Sequence, residues 1–229
     1  MSPEQVQSLV AEIEKKDLST AAHTWRVVLY TRAILESFGV DHDTIELVTK
    51  AAALHDIGKI DIPDRILQKP GKLTDEEYKI VQLHPATGFA RMMTLGVTEE
   101  PILNIVRSHH ERWDGLGYPF GLKGEDIPMG PRLFAVIDSF DAMTSVRPYR
   151  SQLGDDAARR ALVELQAGSG TRYWPEGVEA FTELFHTGRL DYILHYFNDE
   201  VPVPAFAAAR QEEFDAIRKR YERKDGTRQ

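Results

Sequence analysis

Seven side chains in this sequence have the types and placement of metal ligands. Five of the eight histidines sit at the ends of expected helices or beside motif-like residues, and two aspartates accompany them. Imidazole nitrogen and carboxylate oxygen suit borderline or hard divalent ions. One ion would not need so many ligands, whereas two ions that share a carboxylate would. The seven residues are His23, His55, Asp56, His84, His109, His110 and Asp138.

The pair His55-Asp56 closes an apolar, alanine-rich stretch. Neighbouring residues of a helix point about 100° apart, so the two side chains can converge on one ion only where the helix ends. A carboxylate has two oxygens, so Asp56 can bridge two ions. Taken alone, the pair also fits an ordinary helix end before Gly58. The other five residues are what favour a metal site.

Each of those five residues also has a purely structural explanation. His23 fits an interfacial histidine on an amphipathic helix, and His84, which precedes a proline, fits a helix end. The adjacent His109 and His110 fit a surface position. Asp138 is harder to explain, because a buried carboxylate in an apolar helix requires a partner. A site with two ions about 3.5–4 Å apart would suit in-line displacement at phosphorus.

Helical periodicity runs through the chain and no strand-like alternation persists, so the expected fold class is all-α, a helical bundle. Ser2-Pro3 predicts the start of a first helix, and a capping box at Asp43-Thr44-Ile45-Glu46 predicts the start of the helix that carries His55. A helix from Thr74 is expected to end near His84-Pro85. The other expected helices cover about 19–38, 86–95, 101–110, 133–143, 155–166, 174–185 and 190–197.

Residues 111–131 contain five glycines and three prolines, which is too dense for a regular element. We therefore predict a long loop there, and loops of this length in compact domains are usually functional. Beyond residue 188 the composition shifts. Pro202 and Pro204 precede a charged terminal helix with a thin apolar stripe, which suggests docking on the domain or on a second subunit.

The composition narrows the class of protein. With 229 residues, 42% of them hydrophobic, the chain can bury one full core with an appendage. The absence of cysteine excludes disulfides and thiolate metal sites. A net charge of −8 argues against binding to polymeric nucleic acid. No apolar run is long enough to span a membrane and no signal peptide is evident, so we expect a cytoplasmic protein.

The sequence resembles a known family. His55-Asp56, with His23 upstream and Asp138 downstream, is similar to the HD phosphohydrolase pattern. The block His109-His110-Glu111-Arg112-Trp113-Asp114-Gly115-Leu116-Gly117-Tyr118-Pro119 is similar to the extended signature of the HD-GYP branch. The resemblance continues through Ile127-Pro128, Asp138-Ser139-Phe140-Asp141 and Arg147-Pro148-Tyr149-Arg150, and covers about residues 19 to 185.

The resemblance implies a metal-dependent phosphodiesterase that opens a cyclic dinucleotide, typically cyclic di-GMP, to linear pGpG and sometimes cuts it on to GMP. It implies that the seven residues above bind metal, with Asp56 bridging. Iron or manganese would be the native metal, although zinc, nickel or copper would compete. Lys59 would reach a phosphate oxygen or the leaving group. Contacts with the ligand would come from Asp141, Arg147 and Arg150, and Tyr118 would shape the loop or pack on a base.

Two positions depart from the family pattern. Where members with three metals have a glutamate four residues before the first histidine, this chain has Ser19, which predicts two metals. Where the family commonly has Phe-Asp-Pro, this chain has Tyr173-Trp174-Pro175, which removes a possible helix cap. The expected division is an N-terminal helix at 1–18, a catalytic domain at 19–187 and a helical extension at 188–229. A regulatory partner or a homodimer is compatible with that division.

The expected reaction is in-line attack on phosphorus by a hydroxide that bridges two metals, because metals lower the pKa of water from 15.7 to about 7. A catalytically weak module that only binds metal or a cyclic dinucleotide is one alternative. A second is an HD enzyme for another nucleotide, including mixed cyclic GMP-AMP. An HD enzyme for simple nucleotides would leave His84, His109, His110 and the Gly-Tyr-Pro loop unexplained.

Overall fold

The fold was analysed in a computed structural model that describes residues 1–17, 21–145 and 156–196. Within those ranges the structure consists of α-helices, two short 3₁₀ helices and loops, without a β-strand. This confirms the predicted all-α class. The helices are α1 (Pro3–Asp17), α2 (Ala21–Ser37), α3 (His42–Leu54), α4 (Asp64–Leu67), α5 (Asp75–Val81), α6 (His84–Thr94), α7 (Glu100–Ser108), α8 (Met129–Thr144), α9 (Ala157–Ala167), α10 (Pro175–His186) and α11 (Asp191–Tyr196).

The first helix belongs to the same core as the rest of the described chain. Its start is capped as predicted, since Gln5 N donates to Ser2 Oγ over 3.3 Å. Val6, Val10 and Ile13 are buried and join the core cluster, and α1 packs against α3 and the 3₁₀ helix Ile57–Asp61. Helix α1, which was predicted to precede the catalytic domain, therefore packs into the same core as the helices of that domain.

Helix α2 runs through the centre of the bundle. Trp25, Tyr30 and Ile34 are each less than 2% exposed. The Tyr30 ring meets Phe140 of α8 and Phe181 of α10 edge to face, with ring centroids 5.7 Å apart in both pairs. This arrangement is favourable for aromatic rings, and it fixes α8 beside α2 so that both helices can present ligands to one site.

Two predicted helix boundaries in the segments next to candidate ligands were wrong. Helix α3 starts earlier than expected, because Asp41 is its cap and accepts from Thr44 N over 3.0 Å, with Asp43 already inside the helix. His84 begins α6 instead of ending the previous helix, which stops at Val81. Pro85 in the first turn of α6 explains this. The N–H groups of a first turn have no acceptor within the helix, so a proline at that place loses no hydrogen bond. The capping box at Thr74 is confirmed.

Trp174, which stands where the family commonly has an aspartate, is accommodated by packing. Trp174 lies at the cap position of α10 and makes no side-chain cap hydrogen bond. Its ring instead stacks on Phe38 at 6.0 Å between centroids, and the Arg132 guanidinium lies 5.4 Å from the Trp174 ring centre. The polar cap is replaced by an aromatic contact between α10 and the end of α2.

Several predictions fall on residues that the structure does not describe. These are Ser19, Arg147, Arg150 and the C-terminal segment from residue 197 onward. None of the helices in the described ranges is both long and apolar enough to cross a bilayer. The predicted loop at 111–131 is confirmed up to Pro128, after which α8 begins at Met129.

Close packing at Gly58 brings two ligand-bearing segments together. This residue lies in the 3₁₀ helix that follows Asp56, and it contacts the start of α6. A Cβ atom on Gly58 would lie 1.9 Å from His84 O and 2.6 Å from Gly88 N. Only a residue without a side chain allows Asp56 and His84 to approach as they do.

We expect Gly58→Ala to lower the free energy of unfolding by about 1–3 kcal/mol, because the backbone must shift to admit the methyl group. Gly130→Ala is the matched control, since its Cβ would meet only the flexible side chain of Ile105 at 3.3 Å. Urea denaturation of the two variants measures the difference. Equal stability would contradict the packing argument.

Candidate metal centre

The carboxylate of Asp56 lies at the centre of the site. Helix α3 ends at Leu54, so His55 and Asp56 follow it outside the regular helix and their side chains converge. His55 Nε2 is 3.1 Å from Asp56 Oδ2, whereas His84 Nε2 is 3.3 Å from Oδ1 and His109 Nε2 is 3.9 Å from the same oxygen. The two oxygens of Asp56 therefore face different histidines, as a bridging carboxylate requires.

The ligand atoms form two groups that share Asp56. In each group the atoms lie within 4.8 Å of one another; one group is Asp56, His84, His109 and His110, and the other is His23, His55 and Asp56. Asp138 approaches the second group, with Oδ1 3.9 Å from His55 Nε2. All seven predicted ligands are thus brought to one site by α2, α3, α6, α7 and α8.

Three of the histidines are oriented by backbone carbonyl groups. The Nδ1 atoms of His55, His84 and His109 lie 2.8, 2.8 and 3.0 Å from the carbonyl oxygens of Ala52, Val81 and Ile105. A carbonyl oxygen only accepts, so each Nδ1 carries the proton and donates. In the neutral ring, Nε2 then presents a lone pair to the site, which is the usual arrangement of metal-ligating histidine.

The contact between His84 and His109 indicates that a cation belongs at the site. Burial lowers the pKa of both rings, so both are neutral near pH 7. Their Nε2 atoms nevertheless lie 3.1 Å apart, which sets two lone pairs against each other. Two nitrogens each about 2.1 Å from one ion, at right angles, would be separated by about 3.0 Å. The donor set and its spacing therefore fit a divalent metal.

The charges of the groups around Asp56 also favour a bound divalent metal. Burial would raise the pKa of Asp56, but His55 and Lys59 hold it well below its usual range, so the carboxylate is ionised. Burial also lowers the pKa of His110 to about 3, which leaves that ring neutral and able to ligate. Burial would lower the pKa of His55 as well, but Asp56 and Asp138 raise it to about 9. Without metal, His55 therefore carries the positive charge that balances Asp56.

Lys59 lies at the site and is shared between two carboxylates. Its Nζ is 2.7 Å from Asp56 Oδ2 and 2.7 Å from Asp17 Oδ2 at the end of α1. Burial would lower the pKa of Lys59, but these two carboxylates hold it above its usual range. Sequence reasoning missed Asp17. Its one local signal is an acidic residue at the C-terminal end of a helix, where the dipole disfavours negative charge.

The structure corrects the expected role of Asp141. Its side chain is fully buried and accepts hydrogen bonds from Arg26 Nε, from His23 Nδ1 at 2.7 Å and from Ser145 Oγ at 2.9 Å. Burial would raise the pKa of Asp141, but Arg26 and His23 hold it well below its usual range. A carboxylate enclosed in this way is placed to orient His23, a candidate metal ligand, and has no exposed surface to offer a substrate. Sequence reasoning missed Arg26, whose only signal is a charge on an apolar helix face.

The Gly-Tyr-Pro loop is held by a buried glutamate. The Glu111 carboxylate accepts from Phe120 N at 2.7 Å and from Leu122 N at 3.0 Å. The Tyr118 ring stacks on His110 with centroids 4.7 Å apart, so this tyrosine packs against a candidate metal ligand. A cleft of about 480 Å³ opens beside His109, His110 and Asp138.

Comparison with known proteins gives consistent relatives. Residues 6–177 match the sequence model of the HD domain. A protein of Thermotoga maritima named cyclic di-GMP phosphodiesterase is 46% identical over 175 residues, which are 75% of this chain and 46% of that protein. A 3′3′-cGAMP-specific phosphodiesterase of Vibrio cholerae is 37% identical over 187 residues, covering 80% and 34% of the two chains. This chain thus spans less than half the length of either relative.

A solved structure supports the fold. A cyclic GMP-AMP specific phosphodiesterase of V. cholerae superposes with a TM-score of 0.62 and 18% identity, over 94% of this chain and 57% of the other. At that identity the likeness concerns the fold alone. It agrees with the helical bundle described above.

We expect Asp141→Asn to weaken binding of Mn²⁺ about 10- to 100-fold, because His23 loses the carboxylate that fixes its ring. Titration of metal-free protein with Mn²⁺ measures the affinity, and circular dichroism checks that the helices persist. Asp43→Asn, at an exposed position of α3, is the matched control. Unchanged affinity in the Asp141 variant would remove its positioning role.

Proposed function

The chain belongs to the HD domain family, and from that premise we propose that it hydrolyses a phosphodiester bond of a cyclic dinucleotide, with cyclic di-GMP as its substrate. The observation that carries the proposal is the Asp56 carboxylate shared by two groups of ligand atoms. The names of the relatives support the substrate class. The intact set of seven ligands favours an enzyme over a module that only binds.

We propose that the site takes two divalent ions, one in each ligand group, with Asp56 between them. His84, His109 and His110 would hold one ion, and His23, His55 and Asp138 the other. Ligands of nitrogen and oxygen without sulfur are compatible with iron or manganese. When bound, such ions supply an activated water and positive charge for displacement at phosphorus. The chain's own residues must then position the dinucleotide and its leaving oxygen.

Lys59 is suited to donate a hydrogen bond to the leaving group. An ammonium group has three N–H donors, and the carboxylates of Asp17 and Asp56 account for two of them. The third donor is available to a phosphate oxygen or to the ribose 3′ oxygen as the bond breaks. Arg147 and Arg150, which lie outside the described residues, are proposed from the sequence to bind phosphate. Such local cations would let a chain of net charge −8 hold an anionic ligand.

A second substrate is favoured by a specific observation. The V. cholerae relative that is 37% identical to this chain is named for its action on 3′3′-cGAMP. A mixed guanine and adenine dinucleotide presents the same ring of two phosphates to the metal site. We therefore include it with cyclic di-GMP in the test of activity.

Protein purified without oxygen and loaded with Mn²⁺ is expected to convert cyclic di-GMP to the linear dinucleotide. Asp56→Ala is expected to abolish turnover, because it removes the only ligand common to both groups. Asp126→Ala, at an exposed position of the Gly-rich loop, is the matched control and should retain normal activity. Chromatography of the products and metal analysis of the same samples are the measurements.

Three outcomes would contradict the proposal. Near-normal turnover by the Asp56 variant would remove the shared-ligand assignment. Bound but uncleaved dinucleotide at full metal occupancy would identify a sensor, and turnover of simple nucleotides alone would identify another kind of HD enzyme.

Metal should also stabilise the fold, because the Nε2 atoms of His84 and His109 oppose each other without it. At a free Mn²⁺ concentration 100 times the dissociation constant, the expected gain is about 2.7 kcal/mol. Thermal denaturation with and without Mn²⁺ measures it. His109→Ala should lose most of the gain, whereas His42→Ala, on the exposed start of α3, should keep it.

A further inference from the structure

The cleft beside the metal centre extends well beyond the metal ligands. Its walls include Tyr78 and Gln82 near the end of α5, and Arg112 and Arg172 farther along the chain. The metal ligands at one side would hold a phosphate. Among the remaining walls, the aromatic ring of Tyr78, the amide of Gln82 and the guanidinium of Arg172 are groups that can stack on or hydrogen-bond to a nucleobase.

Of the two arginines in the cleft, Arg112 already has a partner. It forms a bidentate pair with Asp114, with Nε to Oδ1 at 3.1 Å and Nη2 to Oδ2 at 2.6 Å. The nearby Glu111 carboxylate is also occupied, since it accepts two backbone amides of the loop. Neither charge is free to meet a ligand without breaking the loop.

Arg172 differs in this respect. Its side chain is exposed, and no carboxylate in residues 1–17, 21–145 or 156–196 forms an ion pair with it. Its backbone is held firmly, because Arg172 N donates to Gly168 O at 2.8 Å and its carbonyl accepts from Trp113 N at 3.2 Å. A fixed backbone and a guanidinium without an ion-pair partner among the described residues make Arg172 a candidate binding group.

The parts of a cyclic dinucleotide that accept from a guanidinium include the phosphates, the ribose oxygens and the O6 and N7 atoms of guanine. Tyr78 is 49% exposed and lines the same cleft, and an exposed aromatic ring offers a stacking surface to a base. Arginine binds guanine O6 and N7 through two donors, whereas adenine presents an amino group where guanine has O6. The surroundings of Arg172 favour a base.

We propose that Arg172 recognises the guanine edge of a nucleotide bound in the cleft, and so makes the site select guanine over adenine. This inference rests on the proposed function, because it assigns the base specificity of the same site. It does not require Arg172 to take part in the chemistry at phosphorus.

The test compares Arg172→Ala with the wild type on cyclic di-GMP, mixed cyclic GMP-AMP and cyclic di-AMP. For cyclic di-GMP, KM should rise about 5- to 150-fold with kcat nearly unchanged. Cyclic di-AMP should be unaffected. Arg159→Ala, an exposed arginine on α9 outside the cleft, is the matched control and should behave as the wild type.

Equal losses on all three dinucleotides would overturn the proposal, because the contact would then be to a phosphate or a ribose that all three share. Unchanged KM on all three would also overturn it, because Arg172 would then make no contact with the ligand. Calorimetric binding of the same dinucleotides in the presence of Ca²⁺ gives a second readout that does not depend on turnover. If the wild type binds cyclic di-GMP but does not cleave it, the proposed activity fails while the guanine preference of Arg172 is still measured. If the variant binds all three as the wild type does, this inference fails alone.

Discussion

The arrangement depends on keeping one ionised carboxylate buried. Asp56 is only 7% exposed, and an uncompensated charge at that depth would cost several kcal/mol. The surrounding elements supply the compensation, with His55 and Lys59 beside one oxygen and His84 beside the other. His55 and Lys59 flank Asp56 in the chain, but His84 comes from the start of α6, so the site forms only when α6 packs against this segment.

Carbonyl groups near the ends of helices orient three of the candidate ligand histidines. The last carbonyl groups of a helix have no partner within it. In this protein the carbonyls of Ala52, Val81 and Ile105 lie in the last turns of α3, α5 and α7, and each accepts from the Nδ1 atom of a histidine. Each of these hydrogen bonds turns Nε2 towards the site, and at Ile105 the carbonyl also accepts from the backbone N–H of His109. This explains why three predicted ligands stand at or just beyond helix boundaries.

A second set of charged groups contacts His23 and Lys59 and holds them in position. Arg26 and Asp141 hold His23 from the interior of the bundle, and Asp17 holds Lys59 from the end of the first helix. These contacts connect α1, α2 and α8 to the metal centre. A shift of α1 would move Asp17 and so change the contact that positions Lys59, although α1 itself contributes no candidate metal ligand.

The sequence by itself determined the helical class and the glycine-rich loop, and it predicted seven side chains as candidate metal ligands. These follow from local properties, namely hydrophobic period, donor chemistry and turn residues, and the family pattern adds their order. It did not determine that Asp141 is enclosed, that Arg26 neutralises it or that Asp17 shares Lys59. Asp141 lies 115 residues from Arg26 and Lys59 lies 42 residues from Asp17, so only the packing of helices decides whether such charges meet each other or a ligand.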